Sequence, residues 1–178
     1  AAFSAAASQG HLDVIERLIA LAPGKVQEMI AASDYFAFAW AASEGHLDVM
    51  KRLIALAPDQ VQEMIAARDY YAFTWAASEG HLDVMERLFE LAPDKVQEMI
   101  QANSGNCDEP YAAFIEAAEN EHPSIVNRLL QFASVFAHAE FQDHEYGETH
   151  VYPFVAAQLT SFRALRAVFE TDHPADVF

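Results

Sequence analysis

Four histidines recur at equivalent positions along the chain, and their chemistry is the first to consider; they are His11, His46, His81 and His122. Imidazole binds metals and changes charge near neutral pH, so such a row could form metal sites or a pH sensor. Successive copies of a stacked helical unit lie roughly 10 Å apart, too far for one metal ion to bridge. We therefore predict a structural role, in which each histidine begins a helix and bonds to backbone across the adjacent turn.

A second group of possible metal ligands lies between His138 and His150, around Asp143, His144 and Glu145. Its histidines are six residues apart, which matches neither one face of a helix nor a known zinc pattern. We predict an acidic loop, inserted between a fourth and a fifth repeat, and no metal. Because inserted loops often carry function, a role of this loop in partner binding stays open.

Cys107 is the only cysteine. A nucleophilic thiol needs a base and a nearby cation, and its neighbours Asn106, Asp108 and Glu109 supply neither. The sequence also lacks a glycine-rich phosphate loop and the common hydrolase motifs. We predict no enzyme activity, no catalytic residue and no cofactor. A single cysteine cannot form a disulfide within the chain, which favours a reducing compartment such as the cytoplasm.

The chain is strongly acidic, with a net charge of −17 and a pI of about 4.6. Such a surface repels phosphate, so we expect no nucleic-acid partner and no attraction to anionic membranes. No apolar run approaches the ~20 residues of a membrane span, so we expect no membrane insertion. The charge favours a protein partner with a basic surface, although it is also explained by solubility alone.

A repeat of 35 residues organises the sequence. Gly-His-Leu-Asp-Val occurs at Gly10, Gly45 and Gly80, and residues 36–70 and 71–105 agree at 25 of 35 positions. A divergent fourth copy begins at Tyr111, which we align with Tyr71 by inserting one residue, and a weaker fifth begins near position 154. Such self-similarity indicates duplication of one structural unit.

Each copy has the apolar spacing of helices. In residues 36–70 a first helix contains Phe38 and Trp40, and Gly45 ends it in a left-handed conformation. Leu47, Met50 and Leu53 continue with helical spacing in a second helix. We predict that Trp40 and its equivalent Trp75 pack in the core.

A short third helix follows Pro58, with Val61, Met64 and Ile65 on one buried face. Ser33 or Asp34, and Asp69 one copy later, are predicted to cap the next helix. The predicted fold is an all-α helical-repeat solenoid of four to five units, because one unit cannot bury its apolar face alone. We expect one domain over residues 1–178, with units at about 1–35, 36–70, 71–110, 111–150 and 151–178.

Residues 73–88, FTWAASEGHLDVMERL, resemble the core of an ankyrin repeat, in which two alanines, two variable residues and Gly-His-Leu join two helices. The resemblance covers most of residues 1–135. The Thr-Pro-Leu-His tetrapeptide of that family is replaced, and a helical segment stands where the projecting β-hairpin is usual. This helical variant resembles ankyrin arrays in effector proteins of intracellular bacteria and in giant viruses. The resemblance implies protein–protein recognition, often of host proteins, without catalysis, and delivery into the host cytosol if the chain is an effector.

The predicted contacts to a partner lie on the inner edge of the stack. Two aromatic pairs precede the first helix, and tyrosine is a common interface anchor. Arg68 and Thr74 differ from their equivalents in the neighbouring near-identical copies, are expected to be exposed, and lie next to these pairs. The predicted binding residues are Tyr35, Phe36, Arg68, Tyr70, Tyr71 and Thr74, and simple packing between units is the alternative for the aromatic pairs. Outer-face differences such as Lys51/Glu86 are expected to be neutral.

The function predicted from these features is a protein-interaction module, and more specifically the host-protein-binding domain of a secreted bacterial effector. We expect a monomer. Ala1 already lies inside a repeat, and solenoids need capped ends, so we expect a fragment of a longer protein. The alternative function is a substrate-docking or regulatory arm of an enzyme whose catalytic domain lies outside this chain.

Overall fold

The structure is a computed structural model that describes residues 2–103 and 111–132. The chain divides into two compact parts, residues 1–129 and 130–178. The second part lies almost entirely outside the described residues, as do the predicted fifth unit, the 138–150 loop and Cys107. The architecture below is therefore that of the first part.

The described residues form helices and turns, and they contain no strand. Each of the first three units has a first helix, a second helix and a short third helix, and the described part of the fourth has the first two, so the predicted all-α repeat fold is confirmed. The nine α-helices of the described ranges are α1 Ala2–Ser8, α2 Leu12–Leu21, α3 Val26–Ser43, α4 Leu47–Leu56, α5 Val61–Ser78, α6 Leu82–Leu91, α7 Val96–Gln101, α8 Ala112–Glu119 and α9 Pro123–Leu130.

The first helices stack directly on one another and form the centre of the array. They are α1, the second halves of α3 and α5, and α8, and each packs on the next. Small residues make this close stacking possible: Ala37, Ala41 and Ala42 are fully buried beside Phe38. Short side chains let helix axes approach to about 8 Å, which explains why these helices are rich in alanine.

The second helices are amphipathic and cover the other side of this row. In α4, Val49, Met50 and Leu53 are fully buried, whereas Asp48 and Lys51 are exposed. The buried positions follow the helical period, as the sequence predicts. The buried face of each second helix packs on the first helices and completes the core.

The third helices begin at a proline-led turn of 3₁₀ helix, such as Pro58–Gln60, and bury Met64 and Ile65. Those of the first and second units then run into the next first helix through three consecutive residues with left-handed backbone. Residues 33–35 have φ of 54°, 60° and 57°, and residues 68–70 have φ of 54°, 56° and 60°. The predicted capping by Ser33, Asp34 and Asp69 is wrong, because a capping residue needs an extended backbone with negative φ.

The glycines of the Gly-His-Leu motif are fixed by both backbone and neighbours. Gly10, Gly45 and Gly80 have φ of 69°, 74° and 80°, the left-handed conformation predicted for Gly45. A Cβ on Gly45 would lie 2.6 Å from the ring of His81 in the next unit, and Gly10 and Gly80 stand in the same relation to His46 and His122. Glycine is required here because each histidine ring lies against it.

The histidines thus connect units. The Nε2 atom of His46 lies 3.1 Å from the carbonyl oxygen of Ser8 in the preceding unit. The sequence predicts a bond to backbone across the adjacent turn, whereas the bond of His46 crosses to the neighbouring unit.

The fourth copy has a different register from the predicted one. Tyr111 has φ of 69° and stands where Tyr70 stands, with φ of 60°. The step from Tyr70 to Tyr111 is 41 residues, the same as from His81 to His122. The additional residues therefore all precede Tyr111, and the predicted insertion inside this segment is wrong.

Candidate functional site

Four half-buried aromatic side chains lie on the face of the first helices. Phe36 and Trp40 are one helical turn apart, with ring centroids 5.5 Å apart in an edge-to-face arrangement. Tyr71 and Trp75 occupy the equivalent positions one unit later, with centroids 5.4 Å apart. We call these four residues the aromatic strip.

The strip corrects the expectation that the tryptophans are core residues. Trp40 and Trp75 are half-buried, whereas their neighbours Phe38 and Phe73 are completely buried in the core. The indole N–H groups of both tryptophans are buried and have no acceptor among the described residues. Only other parts of these rings, and not their N–H groups, are therefore exposed to solvent.

The strip ends at both sides. Ala5 stands at the tryptophan position of the first unit, and the buried Glu116 stands there in the fourth. Burial raises the pKa of Tyr71; Arg68 acts in the opposite direction, and the negative charge of Glu116 adds to the increase. The strip is thus a feature of the second and third units, with a carboxylate at its far end.

Tyr35 and Tyr70, two of the predicted contact residues, are buried between units. The Tyr35 hydroxyl donates to Glu63 Oε2 at 2.5 Å, and the Tyr70 hydroxyl donates to Glu98 Oε2 at 2.5 Å. The bond to Glu63, together with burial, raises the pKa of Tyr35 to about 12. Burial and then the bond to Glu98 raise the pKa of Tyr70. Both side chains contact the next unit, so their surroundings favour packing between units over contact with a partner.

Arg68 lies on the surface, as predicted, and it also connects two units. Its Nη2 donates to the carbonyl oxygen of Ser33 at 2.9 Å, its Nε lies 3.8 Å from Asp34 Oδ2, and its guanidinium lies 4.9 Å from the Phe36 ring centroid. A guanidinium in this arrangement combines an ion pair with a cation–π contact.

The expectation that Thr74 is exposed is wrong, because its side chain is fully buried. It occupies the position of Ala39, which is also buried, between stacked first helices. Variation between copies at this position therefore reflects packing between units. Of the six predicted binding residues, Phe36, Arg68 and Tyr71 reach the surface, and Tyr35, Tyr70 and Thr74 do not.

The outer face carries inter-unit ion pairs that were not predicted. Arg52 binds Glu16 of the preceding unit through two nitrogens, and Arg128 binds Glu86 in the same way, with Nε–Oε1 at 2.5 Å. We call this series of Arg–Glu pairs the ion-pair ladder. Lys51 occupies the position equivalent to Glu16 and Glu86 and interrupts the ladder. Glu86 thus pairs with the next unit, whereas Lys51 does not within the described residues. The expectation that this difference is neutral for partner binding stays a prediction. The alternating charges at these positions in the sequence were a signal for the ladder.

Within residues 2–103 and 111–132, no three His, Cys, Asp or Glu side chains are grouped to hold a metal ion. The same residues contain no helix that is long and apolar enough to cross a membrane.

The stacked three-helix units define a helical-repeat protein of the solenoid class. Residues 2–99 match the family model for ankyrin repeats (three copies). The solved structure of an ankyrin repeat family protein from Legionella pneumophila is 37% identical and superposes with a TM-score of 0.67. That similarity covers 99% of this chain and 49% of the Legionella chain, so this chain spans about half of that protein's length. A search of curated proteins found no match.

This chain belongs to the ankyrin-repeat family, as its sequence indicates. Ankyrin repeats are in general protein-interaction modules, and the stacking of single units leaves a continuous surface for a partner. In the described residues, a helix and a left-handed turn stand where the hairpin of the family is usual.

Proposed function

We propose that this chain is a protein-interaction module and that its partner contacts the aromatic strip. The observation that carries the proposal is the repetition of a half-exposed aromatic pair at the same place in two adjacent units. Tryptophan and tyrosine dominate binding energy at protein interfaces because they offer a large, rigid contact area. Arg68 lies beside the strip, over Phe36, and completes a surface rich in typical interface residues.

The charge of the chain supports a basic partner surface. A net charge of −17 accelerates association with a positively charged protein and disfavours nucleic acid. We propose that the chain acts as a monomer, without a cofactor. Sedimentation equilibrium measures that state directly, and a concentration-dependent mass would contradict it.

The strip is tested by affinity capture from lysates of candidate host cells, with Trp40→Ala combined with Trp75→Ala. Alanine is accepted at this position, since the first unit carries Ala5 there. We expect the variant to lose capture by about tenfold or more, as for hot-spot residues. Ala55→Glu is the matched control, because Ala55 is exposed and its equivalent is Glu90. Unchanged capture by a folded double variant would contradict the proposal.

We further propose that the partner is a host protein and that the full protein is a secreted bacterial effector. The similarity to a Legionella protein supports this origin, and a lone cysteine suits a reducing host cytosol. A reporter fused to the full-length protein should appear in the cytosol of infected cells. A reporter that stays inside the bacterium would contradict the proposal.

A second candidate is a substrate-docking or regulatory arm of an enzyme. It is favoured by one observation: the similar Legionella chain is about twice as long as this one. Determining the sequence that flanks this chain tests it, because a flanking region without any catalytic constellation would remove this candidate.

A further inference from the structure

The left-handed turn between the first and second units holds a guanidinium group. Arg68 reaches back to this turn, where it contacts the carbonyl oxygen of Ser33, the Asp34 carboxylate and the Phe36 ring, at 2.9, 3.8 and 4.9 Å. Three features therefore form the site: a backbone acceptor, a carboxylate and an aromatic face. All three attract a flat cation.

The same three features recur one unit later. The left-handed turn of residues 68–70 has the backbone of residues 33–35, with φ values that agree within 4°. Arg68, Asp69 and Tyr71 are the repeat equivalents of Ser33, Asp34 and Phe36, so a backbone carbonyl, a carboxylate and an aromatic ring follow in the same order. The repeat has thus copied the site.

The residue that fills the first site is not copied. Asn103 stands at the position of Arg68, and its contact with Asp69 is made by its backbone N–H, at 3.1 Å from Oδ2. Its side chain is short and uncharged. An open cavity of about 430 Å³ lies at this place, lined by Asp69, Tyr70, Glu98, Gln101, Ala102 and Asn103.

The charge around this cavity is negative. Glu98 is occupied, because it accepts from the Tyr70 hydroxyl and from Lys95 Nζ at 2.8 Å. Asp69, in contrast, has no cationic side chain paired with it within the described residues. Asp69 is therefore the carboxylate that a cation from outside would meet.

We propose that this cavity binds an arginine side chain of the partner protein, in the way that the preceding turn binds Arg68. The guanidinium would pair with the Asp69 carboxylate, which lines the cavity. By analogy with the preceding turn, it would also reach the Arg68 carbonyl oxygen and the Tyr71 ring, which adjoin the lining residues Asp69 and Tyr70 in the chain. Arginine fits better than lysine, because its planar group donates to two acceptors and stacks on an aromatic ring. The proposal rests on the proposed function, and it adds a specific anchor beside the aromatic strip, to which Tyr71 also belongs.

The test uses the full chain and a blocked Gly-Arg-Gly tripeptide, without any partner protein. Backbone NMR shifts report binding, and we expect those of Asp69, Tyr71 and Asn103 to move. The citrulline peptide, which has the shape of arginine without its charge, should not cause these shifts, and the lysine peptide should bind more weakly. Asp69→Asn keeps an acceptor for the Asn103 N–H and should weaken arginine binding by about tenfold.

Two variants, each of which gives one unit the residue of the other, provide the most specific tests. Asn103→Arg supplies the missing guanidinium within the chain, so the peptide should no longer bind at this turn. Arg68→Asn opens the preceding turn, so a second set of shifts should appear at Asp34 and Phe36. Ala55→Arg adds the same charge as Asn103→Arg at an exposed site and should leave binding unchanged.

Shifts spread over the acidic surface and unaffected by Asp69→Asn or Asn103→Arg would overturn the proposal, since they would reflect general charge attraction. The absence of any binding to the wild-type chain would overturn it as well, as when a cation of the chain itself already fills the cavity. The result is independent of the capture experiment, which measures how much the aromatic strip contributes to partner binding. Either proposal can thus fail while the other holds.

Discussion

The second and third units share one backbone and differ in the charges that join them to their neighbours. Both have the same Gly-His contact, the same left-handed turn and the same Tyr–Glu bond. They differ first at Arg68/Asn103: Arg68 occupies the turn of residues 33–35, whereas Asn103 leaves a cavity at the turn of residues 68–70. They differ also at Lys51/Glu86: in the described part of the chain Lys51 forms no ion pair with the next unit, whereas Glu86 pairs with Arg128. The comparison teaches that residues common to both units determine the fold, whereas the differing ones decide which contacts between units are closed.

The largest expected effect concerns a contact that both units share. Gly45→Ala and Gly80→Ala should each lower the free energy of unfolding by about 2–4 kcal/mol, because a Cβ meets left-handed backbone and a histidine ring at 2.6–2.7 Å. Chemical denaturation measures this loss. Gly24→Ala is the control, since a Cβ there meets nothing within 4 Å.

The histidine part of this effect can be separated. Glu121 has φ of 59°, so the backbone accepts a side chain in this conformation. His81→Ala should therefore recover part of the loss in Gly45→Ala, in a double-mutant cycle. Strictly additive effects would show that the ring is not the cause.

A smaller effect should distinguish the two Tyr–Glu bonds. Tyr35→Phe should destabilise the protein by about 1 kcal/mol, because it removes a bond to a carboxylate. Tyr70→Phe should cost less, because Glu98 keeps its pair with Lys95, whereas position 60 carries glutamine. Equal losses, measured by denaturation at neutral pH, would show that Lys95 has no influence.

The Tyr35 bond also predicts a dependence on alkaline pH. The pKa of Tyr35 is raised from 10.0 to about 12 in the folded state, so its contribution to stability is complete below pH 10 and is lost as the pH rises toward 12. The stability difference between the wild type and Tyr35→Phe should shrink over this range. A constant difference would contradict the raised pKa.

The smallest predicted effect is that of a substitution, Lys51→Glu, which would complete the ion-pair ladder. Arg87 occupies the position of Arg52 and Arg128, but its Nη1 binds Glu90 of its own helix, and its Nε is buried without an acceptor in the described residues. Lys51→Glu should give Arg87 an inter-unit partner and stabilise the protein by about 0.5–1 kcal/mol. The gain should fall at high salt. Lys51→Gln, which removes repulsion without adding a pair, should give less.

Most of the fold was predictable because its signals are local. The repeat length, the three helices of each unit and the left-handed Gly45 follow from apolar spacing and from glycine and proline positions. The left-handed turns were not predictable, because Ser33, Asp34 and Tyr35 have no intrinsic preference for three such residues in a row. That conformation is held by contacts with the next unit, such as the bond from Tyr35 to Glu63.

The candidate site was only partly predictable for the same reason. Phe36, Arg68 and Tyr71 were chosen from aromatic pairs and from variation between copies, and they reach the surface. Thr74 satisfied the same criteria and is buried, and the tryptophans were assigned to the core and are half-exposed. Which side of a helix faces the neighbouring unit depends on how the first helices stack, and one unit taken alone does not fix that.

The sequence by itself determined that this chain repeats a helical unit of the ankyrin family, since periodicity and turn residues act within each copy. The tertiary structure decided which tyrosines connect units, why each glycine must lie beneath a histidine, and where one turn lacks the arginine that fills its neighbour. These contacts join residues about 28 to 42 positions apart, and they exist only when two units are packed together.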